Sequence, residues 1–172
     1  SLNNFFPDAT SKIKLFENIS QPEIIYKLSE REIYENLNSE IILVTIGHVC
    51  FNKGTDIALK SAKILKDKGY KFKWLFLGTI IEKEYINIAK KLGLEEYTKF
   101  MGNVENPYPY IRKATIVAHT SRFEGKSIAI DESKILCKPI VATNFSTVKD
   151  QLTNGVNASI CNINPDDVSN SI

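Results

Sequence analysis

The sequence predicts an α/β protein, a mostly parallel sheet with helices on both faces, and three observations carry this. Short apolar runs alternate with longer amphipathic ones, which is the pattern of repeated βαβ units. The apolar runs are hydrophobic at nearly every position, as strands covered on both faces require. Most of them end in a glycine or a polar loop that leads into a helical pattern.

The first strand is expected over residues 41–47, ending at Gly47. A loop from His48 to Gly54 then leads into a helix over 55–68, where Ile57, Ala58, Ala62 and Leu65 share one face. Gly69 is placed to end it. The cycle repeats with a strand over 72–78, a helix around 82–92 and a stop at Gly93. A short strand over 98–101 precedes Gly102 and a proline-containing loop through Asn106, Pro107, Tyr108 and Pro109. Strands over 115–119, 139–143 and 158–161 follow, separated by helices over 126–136 and near 147–152. Asn164-Pro165-Asp166-Asp167 reads as the start of another helix. The first forty residues are less regular: 12–16 reads as an edge strand and 22–37 as part helix, part loop.

The chain has 172 residues, 43% hydrophobic and 24% charged, which suits one globular domain with a real core. Lys and Arg number 22 against 20 for Asp and Glu, a net charge of +2. That balance argues against nucleic acid as a partner. No apolar run approaches the roughly 18 residues a bilayer crossing needs. Cys50, Cys137 and Cys161 are odd in number and far apart. They read as reduced thiols of a cytoplasmic protein, with no metal-ligand spacing among them. No metal site is expected: the Asp166-Asp167 pair belongs to helix-start chemistry.

Such a Rossmann-like sheet binds ligands beyond the carboxyl ends of its strands. The polar punctuation lies there, at 47–54, Gly78-Thr79, Gly102-Asn103 and 121–127. Backbone N–H groups and helix N-termini in such loops favour phosphate, and so a nucleotide. A response-regulator domain would need paired acids where Ile46-Gly47-His48 stands.

The richest stretch runs from Ser121 to Glu132. Glu124 is expected at a strand end, before Gly125, and Glu132 two turns into the following helix. Gly125 allows close backbone approach, and the N–H groups of Lys126 and Ser127 are expected to be free at the helix start. Carboxylates accept hydrogen bonds from sugar hydroxyls, while free amides hold an anionic linker. Taken alone, Glu124 reads equally as a first-turn acid that offsets the helix dipole, and Glu132 as an exposed helix glutamate.

Glu124-x7-Glu132 with Gly125 resembles the signature of the family-four (group 1) retaining glycosyltransferases. The flanks match as well: Asn106-Pro107-Tyr108-Pro109-Tyr110-Ile111 before it, and Cys137-Lys138-Pro139-Ile140-Val141-Ala142-Thr143-Asn144 behind, with Cys137 in a glycine's place. The loop ending Asn52-Lys53-Gly54 is similar to the family's first phosphate loop, and 14–19 to the segment entering the domain.

The resemblance implies one lobe of a two-lobed GT-B architecture. Residues 1–172 would form the C-terminal, donor-binding half, without the preceding acceptor domain. It implies that Glu124 places the transferred sugar and that Lys53 neutralises the diphosphate. Glu132 would take the ribose hydroxyls, with Gly47, His48, Gly54, Gly125, Lys126 and Ser127 around the phosphates. Gly102, Asn103 and Val104 would lie along the base. His48 stands where the family commonly has arginine, and it lacks that residue's bidentate fork. The histidine either meets the donor or packs in its loop. His119 reads as a satisfied polar residue or as a base, and Tyr108-Pro109-Tyr110 as packing or as a stacking platform.

The implied function is transfer of a sugar from a nucleoside diphosphate to a glycan or lipid-linked acceptor, in bacterial surface polysaccharide synthesis. No metal or other cofactor is implied, and the full enzyme would associate peripherally with the inner face of the membrane. An epimerase or phosphorylase of similar shape, and a non-catalytic nucleotide-binding module, are the alternatives.

Overall fold

The computed structural model describes residues 20–33, 37 and 39–172. Among these residues six strands form one parallel sheet: β1 Ile42–Ile46, β2 Lys73–Leu77, β3 Thr98–Gly102, β4 Ile116–His119, β5 Ile140–Thr143 and β6 Ser159–Cys161. Their order is β3-β2-β1-β4-β5-β6. The chain therefore runs outward from β1 in one direction, then returns to β1's other side and runs outward again. The switch point lies between β1 and β4, where Leu43 pairs with Ile116 and Val44 with Val117.

Among the described residues six helices cover the sheet: α1 Pro22–Ser29, α2 Thr55–Asp67, α3 Glu84–Lys91, α4 Tyr108–Lys113, α5 Ile128–Ile135 and α6 Pro165–Ser171. Successive strand side chains point to opposite faces, so neighbouring residues feed different cores. Leu43, Trp74, Phe76 and Ala118 pack with Ile57, Leu65, Tyr85 and Val168 from α2, α3 and α6. Val44, Leu75, Leu77 and Val117 pack with Ile25, Ile111, Ala114 and Leu136 on the α1, α4 and α5 side. A third cluster joins Ile130 of α5 to Ile140, Ala142, Phe145 and Val148. The near-continuous apolar runs thus reflect burial on both faces.

The one hydroxyl in β1 is satisfied inside the core. Thr45 Oγ1 donates to the Ala118 carbonyl at 2.7 Å and accepts from Trp74 Nε1 at 2.9 Å, so a buried polar chain links β2, β1 and β4 without an orphaned group.

Five of the six observed strands fall within the stretches read from the sequence, and β3 runs one residue further, to Gly102. The expected edge strand over 12–16 lies outside the described residues. Two short elements escape the sequence reading. Residues 108–113 form α4 instead of a loop, because Pro107 and Pro109 suit the start of a helix. A single 3₁₀ turn, Phe51–Lys53, ends at Gly54 in the left-handed region with φ of 66°. The helix expected near 147–152 is likewise a 3₁₀ turn, Val148–Asp150. No helix among the described residues is long and apolar enough to cross a membrane.

Candidate functional site

At the carboxyl ends of β1 and β4 the loops meet in an open cleft of about 610 Å³, lined among others by His48, Lys53, Glu82, Phe123, Glu124 and Gly125. A smaller groove of about 270 Å³ lies at the opposite, amino-terminal end of the central strands, between Leu43, Leu65, Phe72 and Ile172. It is more enclosed but mainly apolar, with no paired acid and base. The chemistry belongs to the first.

The β1 loop is built to deliver Lys53. Gly47 carries φ of 140°, and the Lys53 stem lies across its open face: a Cβ on Gly47 would sit 3.3 Å from Lys53 Cε. The 3₁₀ turn then closes at Gly54, where a Cβ would fall 1.9 Å from the Thr120 carbonyl oxygen. No side chain fits there. Thr120 Oγ1 donates to the Lys53 carbonyl at 3.0 Å, so the tip of β4 carries the turn directly.

Arg122 completes the join. Its guanidinium forks onto Asp56 at 2.7 and 2.8 Å, donates to the Phe51 carbonyl at 2.8 Å, and stacks 3.9 Å from the centre of the Phe51 ring. This bidentate arrangement is arginine's particular geometry.

Glu124 lies five residues beyond the end of β4, in the 120–127 loop, and not on the strand itself. The chain leaves the ladder after His119, and the Thr120 hydroxyl next to it holds the β1 loop. Lys53 Nζ donates to Glu124 Oε1 at 2.5 Å, and Ser121 Oγ to the same oxygen at 2.8 Å. His119 Nε2 comes within 3.1 Å of it. The approach is too oblique for a hydrogen bond, which leaves Nε2 a buried polar atom without a partner. Burial pushes the Glu124 carboxyl upward, but His119, Lys53 and Ser121 outweigh it and hold the group down to about 2. Glu124 is therefore an anion across the working pH range.

Glu132 sits just over one turn into α5, since the helix begins at Ile128 and not at Lys126. The reason is Gln151, which brackets Ser127: its Oε1 accepts from the Ser127 N–H and its Nε2 donates to the Ser127 carbonyl, both at 2.8 Å. The Ser127 amide is thus committed to Gln151, contrary to the expectation that it is free for a ligand. Glu132 Oε1 accepts a 2.9 Å hydrogen bond from the Tyr108 hydroxyl. Burial raises the Glu132 carboxyl and Tyr108 opposes that rise.

The structure brings His48, Lys53, Glu124 and Gly125 into one cleft. Glu132 faces the adjoining α4 through Tyr108 and is not among the cleft's lining, while Val104 packs with Tyr108 against the second core. Asn103 is exposed, and the Gly102 carbonyl accepts from the Gly78 N–H at 2.8 Å. Ser121, Gln151 and Thr147 escape sequence reasoning as supports. Thr147 Oγ1 donates to the carbonyls of Glu124 and Gly125 at 2.9 and 2.7 Å. Only the hydroxyl and amide side chains clustered at 120–127 and 147–151 hint at them.

Strand order, two-sided cover and loops converging at the switch point define one Rossmann-like lobe of the GT-B kind. The chain belongs to the glycosyl transferases group 1 family, whose model matches residues 27–172. It is 23% identical over 128 residues to the capsular polysaccharide biosynthesis glycosyltransferase CapM of Staphylococcus aureus, covering 73% of this chain and 34% of that protein. It is 27% identical over 106 residues to a Campylobacter jejuni N-acetylgalactosaminyltransferase that acts on a diphospho-undecaprenol-linked sugar, covering 61% of this chain and 28% of that one. The chain spans about a third of the length of these curated relatives. Among solved structures, Anabaena Alr3699/HepE in complex with UDP and glucose superposes with a TM-score of 0.71 at 21% identity, covering 88% of this chain and 42% of that one. WaaG, of lipopolysaccharide biosynthesis, gives 0.70 at 14% identity, covering 90% and 41%.

Proposed function

We propose that this chain is the donor-binding lobe of a retaining glycosyltransferase, which holds a nucleoside-diphosphate sugar for transfer to an acceptor carried by a second, preceding lobe. The observation that carries the reading is the Lys53–Glu124 pair, opposite charges 2.5 Å apart at the switch point of the sheet. Lys53 takes the diphosphate and stabilises the charge that develops on the leaving group; preorganised electrostatic help of this kind is commonly a large catalytic contribution. Glu124 takes hydroxyls of the sugar and fixes the anomeric carbon. Glu132 takes the ribose, with Gly102, Asn103 and Val104 along the base. Gly47, His48, Gly54 and the exposed Gly125-Lys126 turn surround the phosphates. The charge on the diphosphate is met by Lys53 in place of a divalent cation, so a chelator leaves turnover unchanged.

The names of the relatives support a role in bacterial surface polysaccharide assembly on a glycan or lipid-linked acceptor, and the full-length protein works at the inner face of the membrane. Closure between two lobes normally assembles such a site, so the lobe alone binds nucleotide with little turnover. Calorimetric titration of the chain with uridine, guanosine and adenosine diphosphates tests the first claim: no binding of any at millimolar concentration overturns it. Product analysis of the full-length protein with labelled donor tests the second. A glycoside of unchanged anomeric configuration is expected; epimerised free sugar nucleotide overturns it.

A further inference from the structure

Tyr108 and Glu132 come from different helices, and their contact is specific. Tyr108 opens α4, and its ring is held by the core cluster containing Val44, Ile111, Ala114 and Val117. The phenol therefore reaches Glu132 Oε1, at 2.9 Å, from a fixed direction. Burial, then the hydrogen bond to Glu132 and its charge, push the Tyr108 hydroxyl up to about 12, so it stays a donor at any physiological pH. An ionised carboxylate offers about four lone-pair sites. Tyr108 uses one, on Oε1, which anchors that oxygen, restricts rotation of the carboxylate and leaves both oxygens with acceptor sites to spare.

We propose that the Tyr108 hydroxyl sets the orientation of the Glu132 carboxylate and so makes the site select ribonucleotides over their 2′,3′-dideoxy counterparts. The inference rests on the assignment of Glu132 to the ribose made above. A carboxylate held in one plane receives two vicinal hydroxyls at once. A freely rotating one must lose that freedom on binding, which weakens the contact. Tyr108 acts through Glu132 and is a positioning residue.

The test compares each nucleoside diphosphate that binds the full-length protein, among those of uridine, guanosine and adenosine, with its 2′,3′-dideoxy analogue. The wild type is expected to prefer the ribose form by on the order of 10–100-fold, the range for leaving a polar group unpaired. Tyr108→Phe keeps the ring and its packing. It should lower ribose-form affinity about fivefold or more while dideoxy affinity stays within about twofold. Loss of the hydroxyl also removes what opposes the rise of the Glu132 carboxyl, so the deficit should be larger at about pH 5.5 than at about pH 8. In a Glu132→Gln background Tyr108→Phe should have no further effect, which supplies the same answer should the single variant fold poorly. Undiminished ribose preference in Tyr108→Phe, or equal loss for both ligands, overturns the inference and leaves the donor reading standing. A wild type that binds both forms equally overturns the assignment of Glu132, and this inference with it.

Discussion

Lys53 Nζ and Glu124 Oε1 stand 2.5 Å apart, one delivered by the loop after β1 and the other by the loop after β4. A diphosphate and a sugar therefore compete with an existing ion pair, each for one member of it. Lys53→Ala leaves Glu124 with Ser121 and His119. Since the Lys53 side chain is 27% exposed, the stability cost should be about 1 kcal/mol by chemical denaturation, between surface and buried pairs. Turnover of the full-length protein should fall on the order of 100-fold or more. Equal turnover would show that the ammonium does not meet the leaving group.

Acid should expose the same pair. The Glu124 carboxyl is held down to about 2 in the fold, below its ordinary value of about 4.3. A depressed folded value contributes stability that is complete above the ordinary value and lost as pH falls through the folded one. The stability difference between wild type and Glu124→Gln should be flat from about pH 8 to 5. It should then shift steadily against the wild type from about pH 4.5 to 2. Urea midpoints across that range measure it, and a flat profile would remove the ion pair from the account.

Gly54→Ala is expected to be severe. The new Cβ would fall 1.9 Å from the Thr120 carbonyl oxygen at a φ of 66°, so backbone must move against backbone. A loss of about 3 kcal/mol or more is expected from steric and left-handed strain combined. Because Lys53 precedes this glycine, nucleotide affinity should fall with stability, as calorimetry on the folded fraction would show.

Cys137→Gly runs the other way. Cys137 holds φ of 53°, the one left-handed non-glycine among the described residues, and its thiol is exposed. Glycine relieves that conformation at some cost in unfolded-chain entropy, for a net gain of about 0.5–1 kcal/mol. Thermal unfolding should shift upward by a few degrees, with nucleotide affinity unchanged.

The strands were legible because burial on both faces writes itself as unbroken apolar runs such as Leu43-Val44 and Trp74-Leu75-Phe76-Leu77. Lys53 and Glu124 were legible from the ordered set of family segments, and the structure does bring them together. Helix α4 was not, because Tyr108-Pro109-Tyr110 carries both turn and helix-start signals, and only packing of Ile111 into the core decides between them. The start of α5 was misplaced by two residues for a comparable reason. Gln151, some twenty residues away in sequence, holds Ser127 in an extended conformation that no local pattern encodes. The bond from Arg122, in the loop after β4, to Asp56 on α2 was not legible either, since the two lie far apart in sequence.

That last contact has a mechanical meaning. Arg122 grips Asp56, the Phe51 carbonyl and the Phe51 ring together, and it is two residues from Glu124, just as Phe51 is two from Lys53. The opposing walls of the cleft are thereby riveted into a single jaw. Force applied to one wall by an incoming ligand is transmitted to the other, and adjustment falls to the flexible lysine stem while the backbone beneath keeps its spacing.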